Sequence, residues 1–154
     1  MTDRFTVLWT TLLALILTAV PLPTWGAIVR PAFAVIAVIY WSLMVPRAGG
    51  VALGFFCGLA LDIFQGSLLG AHALALSLVT YLAIRLHLLL RAKPLFEQAL
   101  FVLSALFVYE FVLWLIDGWS GHPLTTAVRW IHPLTGALIW PVVVGILGRF
   151  HSTR

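Results

Sequence analysis

Charge is scarce in this sequence. Only 9% of its 154 residues are Asp, Glu, Lys or Arg, against about 25% in an average soluble domain. A very apolar soluble core would need surface residues that this chain lacks. Cysteine is nearly absent as well. Cys57 stands alone, so an intrachain disulfide is impossible and the redox compartment stays unread. Its default role is that of a small packing residue. No phosphate loop of the GxxxxGK[ST] type occurs, and no serine sits in a GxSxG elbow. No stretch between apolar runs is long enough to fold as a soluble module, which argues against an ATPase or an extramembrane catalytic unit. His72, His87, His122, His132 and His151 occur singly, without an HxxxH pair or a carboxylate at ligand spacing, so neither a metal nor a cofactor is expected. No enzyme is expected either.

What is present is apolar. Hydrophobic residues make up 62% of the chain and the mean hydropathy is +1.09. This composition predicts an all-α integral membrane protein. Six apolar runs are legible, at about 5–20, 31–45, within the stretch 49–72, and at 71–90, 95–116 and 131–147, and they predict a single six-span domain over residues 1–154. The first run resembles a signal peptide but lacks a small-x-small cleavage site, so it reads as a span. Pro31 opens the second run, where a missing N–H costs nothing. Tyr40, Trp41 and Pro46 mark its far end at interface depth. Asp117 and Gly118 close the fifth run, with Gly118 as the C-cap. The connection 118–130 is the longest, and Trp119 and Trp130 place it in the headgroup region. Pro141, after Trp140, falls inside the sixth run and should kink it or free a carbonyl.

The net charge of +4 comes from basic residues scattered at run ends, which reads as topology rather than nucleic-acid binding. With the N-terminus cytoplasmic, Arg4, Arg47, Arg85, Arg91, Lys93, Arg149 and Arg154 fall inside, and only Arg30 and Arg129 outside. Both termini are therefore expected in the cytoplasm.

The stretch 49–72, GGVALGFFCGLALDIFQGSLLGAH, organises the rest. Gly50, Gly54, Gly58 and Asp62 recur every four residues and share one helix face. Small residues there let another helix backbone approach closely, whether from this chain or from a partner. Gly66 and Gly70 cannot extend that face, because a four-residue step drifts by about 40° per turn. With Gln65 and Ser67 they read as a turn or an unwound helix end.

Asp62 lies about 18 Å along its span and Glu110 about 22 Å along the fifth, both in the outer half. A central carboxylate costs about 2.5–3.5 kcal/mol on insertion scales. A polar cluster of Asp62 and Glu110 is expected, with Arg30 as its cation. Two roles stay open for Asp62: a ligand or proton site, or a local bond to the backbone of the QGSLLG turn. An intramembrane aspartyl dyad lacks supporting motifs.

The ordered set of features resembles the rod shape-determining MreD family of bacteria. It comprises Pro21 and Pro23 after the first span, Arg30-Pro31, Tyr40-Trp41 and Pro46, and the block Gly54, Gly58, Asp62, Gly66, Gly70. Glu110 and Trp140-Pro141 complete it. The resemblance implies a non-enzymatic scaffold in the bacterial inner membrane that binds the bitopic protein MreC. It also implies a RodA-type glycosyltransferase, a penicillin-binding transpeptidase and MreB as further partners, in control of peptidoglycan synthesis and rod shape. In fold the family is similar to the six-helix substrate-binding subunits of energy-coupling-factor vitamin transporters, which supplies the alternative function. The loop at 22–29 is mostly apolar and the loop at 65–70 is short. Both favour a protein-binding surface over a ligand pocket. A channel would need polar residues through the depth of one face, and these spans show few.

Overall fold

The structure is a computed structural model that describes residues 2–21, 23–121 and 127–152. Among these it is entirely helical. α1 is Thr2–Ala19, α2 Thr24–Val29, α3 Phe33–Met44, α4 Val51–Gln65, α5 Ala71–Arg91 and α6 Leu95–Ser120. A 3-10 turn at Ala127–Trp130 leads into α7, Ile131–Ser152. This fits an all-α membrane protein. Three helical segments, Ala71–Arg91, Leu95–Ser120 and Ala127–Phe150, are long and apolar enough to cross a bilayer. Three more are apolar but shorter: Arg4–Ala19, Phe33–Met44 and Val51–Gln65.

α3 sits at the centre. Its residues Ala34 to Leu43 are all buried, because α1, α4, α5 and α7 each pack on it. A helix apolar on every side has no polar face to turn outward. Tyr40 and Trp41, near the far end of α3, face other helices and are 2% and 1% exposed. The Trp41 indole needs a partner when buried, and its Nε1–H donates to Thr10 Oγ1 at 2.9 Å, joining α3 to α1. Trp140 is also fully buried. Its Nε1–H donates to Gln98 Oε1 at 3.3 Å, and its ring lies 6.1 Å from that of Tyr40. The Gln98 amide nitrogen in turn donates to the carbonyls of Leu90 and Lys93, each at 3.1 Å. This one side chain ties α5, α6 and α7 together. Trp9, Trp25 and Trp119 are exposed, as an aromatic belt requires.

Helix ends follow backbone chemistry. Pro31 stands two residues ahead of α3, and its carbonyl accepts from Phe33 N–H at 2.9 Å. α6 runs through Asp117 and Gly118 and stops at Gly121, whose φ of +74° is the left-handed C-cap. Gly118 is thus not the terminator, and the helix is one turn longer than the sequence suggested. α2 arises where an apolar loop was expected. Pro23 precedes its first residue, a position that suits proline. The ring of Pro141 lies inside α7, which continues on both sides of it. His122 and Pro123, in the middle of the 118–130 connection, lie outside the described residues, as does Arg154. Leu22 also lies outside them.

Candidate functional site

α4 and α5 form the closest seam in the protein. A Cβ built on Gly58 would stand 2.4 Å from Ala73 Cα and 2.5 Å from Ala73 N, both backbone atoms. One on Gly54 would stand 2.7 Å from Thr80 Cγ2 and Oγ1. The small-residue face thus meets a helix of its own chain. Gly50 does not belong to this seam. It caps α4 with extended backbone, and a Cβ there would meet only Pro46 O at 3.8 Å. The crowded glycine of that turn is Gly49, where a Cβ would lie 2.5 Å from Trp41 C. Ser42 Oγ lies 2.7 Å from Gly49 O and 2.8 Å from Val38 O, so its single proton serves one carbonyl at a time. Gly66 and Gly70 do not pack against helices. Their φ values of +62° and +101° make the left-handed turn between α4 and α5, where glycine carries no Cβ penalty.

That turn folds back over Asp62, which is 1% exposed. Its Oδ1 accepts from Ser67 Oγ at 2.8 Å, His72 N–H at 2.9 Å and the His72 ring Nδ1 at 2.8 Å. Its Oδ2 accepts from Gly70 N–H at 2.8 Å. The first N–H groups of a helix lack partners within it, and that end is electropositive. Asp62 supplies acceptors from the preceding helix and so caps α5 from eight to ten residues upstream. Of the two roles left open, the geometry matches the local one. The same carboxylate orients His72 by accepting a hydrogen bond from Nδ1, and the ring lines a cavity.

The second acidic site lies on α6. Glu110 and Asp117 are seven residues apart, two helical turns, and so share a face. Arg129, on the 3-10 turn, reaches both. Its Nε donates to Glu110 Oε2 at 2.9 Å and its Nη1 lies 2.8 Å from Asp117 Oδ2. The cation beside Glu110 is therefore Arg129 and not Arg30, because the 3-10 turn carries Arg129 directly over α6. Arg30 Nη2 instead donates to the carbonyl of Leu17 at the end of α1. The Arg30 carbonyl accepts from His132 Nδ1 at 2.8 Å.

These groups converge all the same. A cavity of about 440 Å³ is lined by Arg30, Gln65, His72, Glu110, Arg129 and His132, with Thr18, Tyr109, Leu113 and Val128 among its other walls. Asp62 stands behind His72 rather than in the wall. A polar pocket was not expected from the apolar 22–29 and short 65–70 loops. It exists because helix ends, not loops, supply its side chains. Sequence reasoning passed over His72 and His132 because each is solitary in the chain. The signal for His72 was its position at the start of α5, across a glycine-flanked turn from Asp62. Among the described residues no three of His, Cys, Asp or Glu converge to hold a metal ion.

Comparison with known proteins bears on what this arrangement serves. The profile of the rod shape-determining protein MreD family matches residues 2–147. The chain belongs to the MreD family. A rod shape-determining protein MreD from Haemophilus influenzae is 32% identical over 151 residues, covering 93% of this chain and 91% of that one. No solved structure matches. The MreD match takes in the α4–α5 seam, the Asp62 cap and the cavity, so all three belong to the part of the chain shared with the family. It also decides between the two functions weighed from sequence, in favour of shape determination.

Proposed function

We propose that this protein is a non-enzymatic, six-span scaffold of the bacterial inner membrane, with both termini in the cytoplasm, that binds MreC and helps control peptidoglycan synthesis and rod shape. The observation that carries the reading is the family match along nearly the whole chain. The fold adds a constraint. Three helical segments are long enough to span, and on this reading the three shorter apolar ones supply the other crossings. RodA-type glycosyltransferase, the penicillin-binding transpeptidase and MreB act in the same assembly.

The partner's span meets the outer surface of the bundle. Gly54 and Gly58 are already occupied by α5, so they support the scaffold and not the partner contact. Exposed apolar residues on α1, α4 and α7, such as Trp9, Phe56 and Leu138, are available to a span. The test is purification of the tagged protein from its host membranes in mild detergent, followed by an intact native mass spectrum. A stoichiometric bitopic chain is expected. Its absence, together with unchanged rod shape on deletion of the gene, would overturn the reading.

A further inference from the structure

The cavity, walled by the ends of α1, α4, α5 and α7 and by the middle of α6, holds both signs of charge: Glu110 is paired with Arg129, whereas Arg30 has no carboxylate beside it among the described residues. Arg30 is half-buried, its Nε is buried without a hydrogen-bond partner, and its Nη2 is spent on a backbone carbonyl. Among the described residues no carboxylate lies within ion-pair distance of it. Glu110 belongs to the opposite imbalance, since one guanidinium, that of Arg129, serves two carboxylates. Glu110 uses only Oε2 in that contact, and Oε1 remains for the cavity that Glu110 lines. An isolated cation and an excess carboxylate in one desolvated space are each costly alone. Among the described residues Arg30 has no counter-charge, and Glu110 has only a guanidinium shared with Asp117, so an anion at the first and a cation at the second would each offset a local imbalance.

We propose that this cavity binds a zwitterionic head that carries a phosphate or carboxylate together with a primary ammonium, with the anionic group on Arg30 and the ammonium on Glu110. Guanidinium matches phosphate and carboxylate oxygens through its planar fork. A primary ammonium brings N–H donors that a carboxylate oxygen accepts. The volume, about 440 Å³, falls in the range of small-molecule sites, and Leu113 and Val128 offer an apolar wall beside the charges. The head can belong to a membrane lipid such as phosphatidylethanolamine or to a soluble zwitterion. This inference does not depend on the partner reading above.

The test uses the full-length protein, delipidated in mild detergent and titrated with three lipids while native mass spectra are recorded. Phosphatidylethanolamine has both charges. Phosphatidylglycerol keeps the phosphate without the ammonium, and phosphatidylcholine has a quaternary ammonium with no N–H to donate. Phosphatidylethanolamine is expected to bind about tenfold more tightly than either. Glu110→Gln should erase that preference, Arg30→Gln should weaken all three lipids at least about tenfold, and Arg149→Gln, near the far end of α7, should change neither. Soluble phosphoethanolamine is then added. Displacement at comparable concentration assigns a soluble ligand, and failure to displace assigns the lipid. Equal binding of the three lipids with no binding of phosphoethanolamine overturns the proposal. So does a preference that survives Glu110→Gln, or an affinity that Arg30→Gln leaves unchanged. Should those variants not fold, Val128→Trp, which fills the cavity from its partly exposed wall, must abolish the preference, and its retention overturns the proposal.

Discussion

Gly58→Ala is the sharpest perturbation that the α4–α5 seam allows. The added Cβ would lie 2.4 Å from Ala73 Cα, where ordinary contact begins at 3.4 Å. The helices must part by about 1 Å, since both obstructing atoms are backbone and neither can swing aside. Overpacking of this kind costs about 1–3 kcal/mol. The displacement also stretches the bonds from Asp62 to the start of α5, now 2.8–2.9 Å, beyond hydrogen-bond range. Each bond to a charged acceptor contributes about 1.5–3 kcal/mol. Replacing a helical glycine returns up to about 1 kcal/mol. With both bonds lost the net expectation is about 3–8 kcal/mol, a shift of at least roughly 100-fold in the folding equilibrium. Reversible unfolding in mixed dodecyl maltoside and dodecyl sulfate micelles measures it. Gly145→Ala is the control, since a Cβ there meets nothing within 4 Å. If Gly58→Ala lay within about 0.5 kcal/mol of the parent, the range of an inconsequential surface change, the close seam would be refuted.

Gly54→Ala should destabilise less, because it presses on the Thr80 side chain as well as on Leu76 O at 3.2 Å. Adding Thr80→Ala should recover part of the loss, and a double-mutant cycle showing strict additivity would remove Thr80 from the account. Asp62→Ala strips acceptors from Ser67, Gly70 and His72, and about 3 kcal/mol should be lost. Faster amide exchange at Gly70 and His72 is the accompanying signature, and unchanged protection there would contradict the cap. Arg129→Gln leaves Glu110 and Asp117 facing each other without their shared cation, for an expected loss of about 2 kcal/mol, below the value for a fully buried pair. Glu110→Gln added to it should restore stability. Trp41→Phe removes the bond to Thr10 and should cost about 1 kcal/mol for the hydrogen bond alone, visible as a lower unfolding midpoint.

Much of the helical layout could be read from the sequence because apolar runs and their proline and glycine boundaries are local signals. Most run boundaries fall within about three residues of their helices, but α6 and α7 continue four and five residues past 116 and 147. α6 runs on because Gly118 is tolerated in a helix and the left-handed stop comes only at Gly121. Burial was less legible. Tyr40, Trp41 and Trp140 are shut inside the bundle, which depends on which helices flank α3, and no local pattern contains that. The acidic residues were found as isolated carboxylates in apolar context. Their partners were not, since Asp62 answers to a histidine ten residues on, and Glu110 to an arginine beyond a long connection. From the sequence Arg30 was expected to be the cation of the cluster, ahead of Arg129. Only the 3-10 turn, which lifts Arg129 over α6, separates them.

The sealed position of α3 has a bearing on biogenesis. α3 is apolar around its whole circumference, and at twelve residues it is about 18 Å long. Before α5 and α7 are in place it can rest among acyl chains without penalty. Enclosing it then swaps lipid tails for side chains, an exchange with no hydrophobic gain to drive it. Its register is selected by shape and by two indole bonds: Trp41 fastens α3 to α1, and Trp140, laid against Tyr40, fastens α7 to α6. Maturation of this bundle is thus a sorting of equally greasy surfaces, and it is complete only when α7 shuts α3 away from the bilayer.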